Sequence, residues 1–173
     1  MALRDIVILP DKILKQQSRD FAIVDASVRD LADDMFDTMY DAPGIGLAAV
    51  QIGLLKRMIV VDVSHQDDPR DPVCMINPKI IWSSPEMAEY EEGCLSIPEV
   101  YDLVTRPAEV KVQYLDRQGA ECERHCDGLL STCVQHEIDH LNGVLFIDHL
   151  SRLKRDRVIK KFVKAAKQSG DSE

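Results

Sequence analysis

His136-Glu137-Ile138-Asp139-His140 sets two imidazoles four residues apart, with a carboxyl beside the first. On a helix, positions i and i+4 lie one above the other, so both rings can reach one metal ion. Glu137 then lies where it can take a proton from water acidified by that ion. The alternative is a pair of surface histidines on an acidic turn. Leu141, Val144, Leu145 and Phe146 follow at once. Such an apolar flank predicts a buried helix and favours the metal.

A catalytic metal site has three protein ligands and one open position. The extended metalloprotease pattern H-E-x-x-H-x-x-G-x-x-H holds through Gly143 and fails at Phe146. The acids after His140 are Asp148, Asp156, Asp171 and Glu173, and none matches a glutamate ligand one helix further on. The third ligand must come from upstream. Cys94, in Glu91-Glu92-Gly93-Cys94-Leu95-Ser96-Ile97-Pro98, follows a glycine that permits close backbone approach. A thiolate suits zinc or ferrous iron. A lone cysteine is otherwise a small buried hydrophobe, and the residues alone leave both readings open.

Gly44-Ile45-Gly46-Leu47-Ala48-Ala49-Val50-Gln51 is the third segment with chemical content. It satisfies the loose dinucleotide fingerprint, with Asp62 near the place of a ribose-binding acid. That fingerprint needs a strand before it and a full helix after it. Here a predicted helix precedes it and Gly53 follows closely. The better reading is a tight loop presenting Gln51, whose amide NH2 can donate to an oxyanion.

These segments need a scaffold. Val28, Leu31, Met35, Phe36 and Met39 recur at helical spacing and predict an amphipathic helix over about 26–40, closed by Pro43-Gly44. Short β-rich runs cover 58–63 and 73–82, the second broken at Asn77-Pro78. Val110, Val112 and Tyr114 alternate with polar residues, then Asp116 to Gly119 reads as a hairpin turn with a return strand over 121–126. A helix over 128–141 carries the histidines and stops at Asn142-Gly143. A last helix covers about 151–167. Helices flanking mostly antiparallel strands make an α+β fold.

At 173 residues, with no linker or repeat, the expectation is a single domain over 1–173. Five cysteines, an odd number, read as reduced thiols and, with no signal-peptide pattern, as a cytoplasmic protein. The longest uncharged run, Ala42 to Leu55, is interrupted by Pro43, Gly44, Gly46 and Gly53, so no membrane span is expected. The net charge of −9 argues against binding free nucleic acid. The charge is uneven: Ser151 to Lys167 holds eight Lys or Arg and one Asp, a balance of +7 that leaves −16 on the rest.

The three segments, in this order, resemble the peptide deformylase family, whose pattern is G-x-G-x-A-A-x-Q, E-G-C-L-S and Q-H-E-x-D-H. Here they are GIGLAAVQ at 44–51, EGCLSIP at 92–98 and QHEIDHLNG at 135–143, and the likeness extends from ILPD at 8–11 to the last helix. The resemblance implies antiparallel sheets packed around a central helix that carries the histidines. It implies that Cys94, His136 and His140 bind one divalent metal, natively Fe(II) and as isolated often Zn(II) or Ni(II). Glu137 would move the water proton to the leaving amine, and Gln51 with the Leu95 backbone N–H would hold the oxyanion. The substrate would be an N-formyl-methionyl nascent peptide, and the products formate and a free N-terminus. The methionine pocket would comprise Ile45, Gly46, Tyr90, Glu92, Gly93, Leu129 and Cys133, with Arg106 paired to Glu92. Where several members carry an arginine after E-G-C-L-S-I-P, this chain has Val100-Tyr101. The resemblance also connects a basic C-terminal helix with docking at the ribosome. Two rival readings share these residues. A zinc endopeptidase is disfavoured by the missing downstream ligand. A silent relative that binds nascent N-termini should have lost Glu137, Gln51 or a ligand, and none is lost.

Overall fold

The structure is a computed structural model that describes residues 2–170; the outermost parts of the expected 1–173 unit, residue 1 and residues 171–173, lie outside the described residues. Helix α1 (Ala26–Asp41) starts at Asp25, whose carboxylate accepts the Val28 N–H at 3.2 Å. That contact satisfies one of the otherwise unpaired N–H groups of the first turn. Strands β1 (Gly46–Ala48), β2 (Met58–Val61), β3 (Val73–Ser83), β6 (Val110–Leu115) and β7 (Glu121–Cys126) form one antiparallel sheet in the order β1-β2-β3-β6-β7. Between β3 and β6 the chain builds a separate hairpin from β4 (Met87–Cys94) and β5 (Ile97–Pro107). Helix α2 (Gly128–Leu141) follows β7, and α3 (Arg152–Gly170) closes the described chain.

The large sheet is covered on both faces. Ile59, Val61, Val73 and Met75 pack with Val134, Ile138 and Leu141 of α2. Met58, Val60, Cys74 and Ile76 pack with Val28, Ala32, Met35 and Met39 of α1. Burial on both sides explains why β2 reads as an unbroken apolar run rather than an alternation. Each such side chain contributes roughly 1.5–3 kcal/mol. A third cluster under the hairpin joins Leu9, Leu14, Ile97, Val104, Leu145, Phe146 and Ile147, and α3 lays Val158, Ile159 and Phe162 against it. No residue of α3 is fully buried.

Helices flanking antiparallel strands are what the patterning predicted, with differences in detail. Strand β2 ends at Val61 rather than 63, because the Asp62 carboxylate takes the Tyr40 hydroxyl at 2.6 Å and the Ser64 N–H at 3.0 Å and turns the chain away. These bonds also engage Asp62 inside the fold, against a ribose-binding role. Strand β3 is not broken at Asn77-Pro78. Asn77 takes a left-handed φ of 51° in an irregularity that the strand passes through, and its side chain pairs with both backbone groups of Phe21 at 2.8 and 2.9 Å. The β4–β5 hairpin has no counterpart in the sequence reading.

Candidate active site

Helix α2 enters the protein with its last turns buried, and both histidines lie on them; His140 is fully buried. Gly143 ends this helix at a φ of +74°, and a Cβ there would lie 2.5 Å from the Lys15 carbonyl oxygen. Only glycine fits that stop. Across from the helix, β4 ends at Cys94, and the two-residue turn Leu95-Ser96 leads into β5. The Cys94 Sγ lies 3.3 Å from His140 Nε2. Ligand atoms of Cys94, His136 and His140 all lie within 4.8 Å of one another, the one such His/Cys/Asp/Glu group among the described residues.

The surroundings tune these donors. Burial, with His136 nearby, holds His140 well below the ordinary histidine range, so its ring is neutral and keeps a lone pair. His136 Nδ1 lies 2.9 Å from Glu92 Oε1, so Nδ1–H donates to the carboxylate and Nε2 is left for the site. Burial opposes charge on His136, but its contacts with Cys94 and Glu92 win and raise its pKa well above the ordinary value. A proton held so firmly beside a thiol and a neutral imidazole is what a divalent cation would replace. One thiolate and two imidazoles form a sound donor set for zinc, iron or nickel, and three protein ligands leave an open position.

Glu92 is gripped from behind. Arg106 reaches it through Nε at 2.7 Å and a terminal nitrogen at 3.0 Å, and sends its other nitrogen to Asp139 at 2.8 Å. Burial alone would raise Glu92, but the hydrogen bonds from His136 and Arg106 hold it down at about 2. His149 closes the chain of contacts on Asp139 at 2.8 Å. The Arg106–Glu92 pair was expected from the sequence; Asp139 and His149 were not.

Glu137 and Gln51 complete the centre. Glu137 Oε2 is buried with no hydrogen-bond partner among the described residues, and burial pushes the carboxyl up to about 7. Gln51 is 1% exposed. Its Oε1 accepts the Ala48 N–H at 2.9 Å, so its NH2 turns toward the site, 3.1 Å from Ser96 Oγ and 3.5 Å from Cys94 Sγ. Gly46 lets β1 press on α2: a Cβ there would lie 2.8 Å from Cys133 Sγ and 3.0 Å from Glu137 Cγ.

These groups face a cavity of about 820 Å³. Of the expected pocket residues, Ile45, Gly46, Glu92, Gly93, Leu129 and Cys133 line it, as do Leu95, Gln51 and Glu137. Tyr90 does not. It shares a strand face with Glu92 but stands two residues further along β4, roughly 7 Å at the usual rise. Ile6 and Ile8 also line the cavity and were missed, because an irregular N-terminal segment carries no periodic signal. Backbone bonds hold that segment in place, Val7 N–H to the Gln51 carbonyl at 2.7 Å and Leu9 N–H to the Ser96 carbonyl at 2.9 Å.

A thiolate and two imidazoles at one point, beside a buried carboxyl and an inward amide, on an α+β frame, define a metal-dependent hydrolase. The model of the polypeptide deformylase family matches residues 3–156. A peptide deformylase of Methylocella silvestris is 62% identical over 170 residues, covering 96% of this chain and 87% of that one. One from Rhizobium meliloti is 56% identical, covering 98% of each. The crystal structure of the Ehrlichia chaffeensis peptide deformylase in complex with actinonin superposes with a TM-score of 0.90 at 46% identity, covering 95% of this chain and 98% of that one. The chain belongs to the polypeptide deformylase family. It is an enzyme of that kind, a metal-dependent hydrolase that removes the N-formyl group from the N-terminal formyl-methionine of new polypeptides and releases formate. Among the described residues no helix is long and apolar enough to cross a membrane.

Proposed function

We propose that Cys94, His136 and His140 hold the catalytic ion, with Fe(II) as the native metal and Zn(II) or Ni(II) as substitutes. The observation that carries this reading is the convergence of the three donors within 4.8 Å beside the unpartnered Glu137 Oε2. When bound there, the ion would supply Lewis acidity and make water a better acid. Glu137 takes a proton from the water whose oxygen bonds to the formyl carbon and passes it to the amine nitrogen, which leaves as the C–N bond breaks, so that the carbon departs as formate. Its raised pKa suits both directions of transfer near neutrality. Gln51 NH2 and the Leu95 backbone N–H donate to the oxygen of the formyl group as charge develops on it. Ile45, Gly46, Gly93, Leu129 and Cys133 receive the methionine side chain, with Glu92 behind them, and Tyr90 has no part in it. Actinonin, bound by the Ehrlichia chaffeensis relative, would occupy the same cavity.

The wider setting is part of this reading. The chain acts as one catalytic unit over 1–173 in the cytoplasm, where five unpaired cysteines are at home. It reaches its substrates by docking the basic face of α3 on the ribosome, and it binds neither membrane nor free nucleic acid. The test is formate release from an N-formyl-methionyl tripeptide by anaerobic, Fe(II)-loaded protein beside its Glu137→Ala variant. Formate from the parent alone is expected. Equal release by the variant would overturn the role of Glu137, and cleavage of internal peptide bonds without formate would overturn the reaction.

A further inference from the structure

Phe146 stands at the position where the extended metalloprotease pattern carries a third histidine. Its ring meets a ligand all the same. It stacks on the ring of His136, with centroids 6.0 Å apart and planes 23° from parallel. Phe146 is 1% exposed and belongs to the cluster under the hairpin, against which α3 lays Val158, Ile159 and Phe162. A flat ring backed in this way resists tilting of the imidazole it covers.

Phe146 opens a single 3-10 turn, Phe146–His149, and the far end of that turn reaches the edge of His136 by a longer route. His149 Nε2 lies 2.8 Å from Asp139 Oδ2, and since a carboxylate only accepts, the imidazole N–H donates. Arg106 donates to that same oxygen at 2.8 Å and to the two oxygens of Glu92 at 2.7 and 3.0 Å. Glu92 Oε1 accepts the Nδ1–H of His136 at 2.9 Å. Donors and acceptors alternate along the whole path, so each group fixes the next. The turn itself is anchored, because Asp148 accepts the Leu145 N–H at 2.9 Å and the Lys15 ammonium at 2.6 Å. His140 has no such support: its Nδ1 has no hydrogen-bond partner among the described residues.

A ring held on its face by Phe146 and at its edge by Glu92 is restrained against both tilt and rotation, and its Nε2 stays aimed at the other two donors. We propose that Phe146 and His149 are positioning residues: the turn that bears them clamps His136 from two sides and slows loss of the metal. Phe146 acts by direct stacking, His149 through Asp139, Arg106 and Glu92. The proposal rests on the reading of Cys94, His136 and His140 as ligands and adds the element that holds one of them in place.

The experiment loads the full chain with Co(II) as a visible probe and follows its release to an excess of chelator. The loaded parent should show a thiolate-to-cobalt absorption band that Cys94→Ala lacks. His149→Ala should speed release by about tenfold, while His149→Gln, which restores an N–H donor, should stay within about twofold of the parent. In an Asp139→Asn background His149→Ala should add nothing, because the path is already cut. Phe146→Leu keeps the contact apolar but removes the flat ring; it should speed release by about tenfold and broaden the cobalt ligand-field bands. The metal-free melting temperature of His149→Ala should move by no more than about 3 °C, which separates positioning from loss of fold. Release at the parent rate in both His149→Ala and Phe146→Leu, or effects of His149→Ala and Asp139→Asn that add in full, would overturn the clamp while leaving the ligand set intact. A parent without the band, or a Cys94→Ala protein that keeps it, would overturn the ligand set and the clamp with it.

Discussion

The Ala48 N–H donates to Gln51 Oε1 at 2.9 Å, and this one bond decides which end of the amide faces the reaction. The NH2 has nowhere else to point than toward Ser96 and Cys94. On the proposed oxyanion role, Gln51→Glu keeps the shape, loses the donor and adds a negative charge where the reaction would develop one. We expect kcat to fall by about 10²- to 10³-fold with KM changed far less, the pattern of a contact made only in the transition state. Steady-state formate release reads both constants.

Glu137 trades stability for chemistry. Its buried Oε2 lacks a partner among the described residues, and its pKa is raised from the ordinary 4.5 to about 7. The folded state therefore binds a proton more tightly than the unfolded one, and stability falls as pH rises from about 4.5 through 7. Glu137→Gln removes that dependence. The metal-free variant should be more stable than its parent by about 3 kcal/mol above pH 7, with the difference vanishing below pH 4.5, while the metal-loaded variant should lose activity by about 10³-fold or more. Urea melts at pH 4 and pH 8 measure the first effect and formate release the second.

How much of this was legible in the sequence follows from where charge is buried. Helices α1 and α2, strands β2 and β3 and the β6–β7 hairpin carry apolar residues at regular spacing, and pattern reading finds them. The β4–β5 hairpin escapes it because its inward face is held by Glu92 and Arg106, both nearly inaccessible to solvent, while Leu103 and Tyr101 face outward. The element that presents Cys94 is thus the one whose pattern function has inverted. Residue types and spacing pointed to His136, His140, Glu137 and Gln51, whereas Cys94 stayed ambiguous until the family resemblance joined the three segments. Asp139 and His149 stayed hidden: their contact to Arg106 depends on the hairpin crossing α2, which no local spacing encodes. The dinucleotide reading of 44–51 failed in context, since Gly46–Ala48 is itself a strand and Asp62 is engaged with Tyr40.

Arg106 compensates two carboxylates at once, so its removal should cost more than a surface ion pair. Arg106→Ala removes the guanidinium that Glu92 and Asp139 share, and we expect about 3–5 kcal/mol of destabilisation. Glu92 then orients His136 less firmly, and metal release to a chelator should speed by about 10- to 100-fold. The parent carries its own signature. Glu92 is held at about 2, below the ordinary 4.5, so its contribution is complete above pH 4.5 and is lost as pH falls toward 2. Acid titrations followed by circular dichroism should show that limb in the parent and not in Glu92→Gln.

Gly46 tests whether β1 and α2 must touch. In Gly46→Ala the new methyl meets Cys133 Sγ at 2.8 Å and Glu137 Cγ at 3.0 Å, so the strand or the catalytic carboxyl must move. Overpacking of this kind costs about 1–3 kcal/mol, and kcat should drop with it. Adding Cys133→Ala removes the closer obstacle. The double variant should therefore recover part of the lost stability, giving a coupling of about 1 kcal/mol in a cycle of urea melts. Strict additivity would mean that the sulfur is not what the methyl strikes.

The basic helix offers a prediction that structure refines. Deleting α3 would strip Val158, Ile159 and Phe162 from the cluster around Phe146 and Ile147, so a truncated chain confuses loss of docking with loss of fold. Reversal of exposed charge avoids this. Lys160, Lys161, Lys164 and Lys167 all lie on exposed positions of α3, and changing the four to Glu should leave thermal stability within about 0.5 kcal/mol per site. If the +7 segment docks on ribosomal RNA, the parent should co-sediment with ribosomes in low salt and dissociate as salt rises, because each phosphate contact releases counterions. The reversed variant should stay in the supernatant at every salt concentration while still deformylating free peptides. Sedimentation of the reversed chain equal to that of the parent would show that the basic face is only a solvated surface.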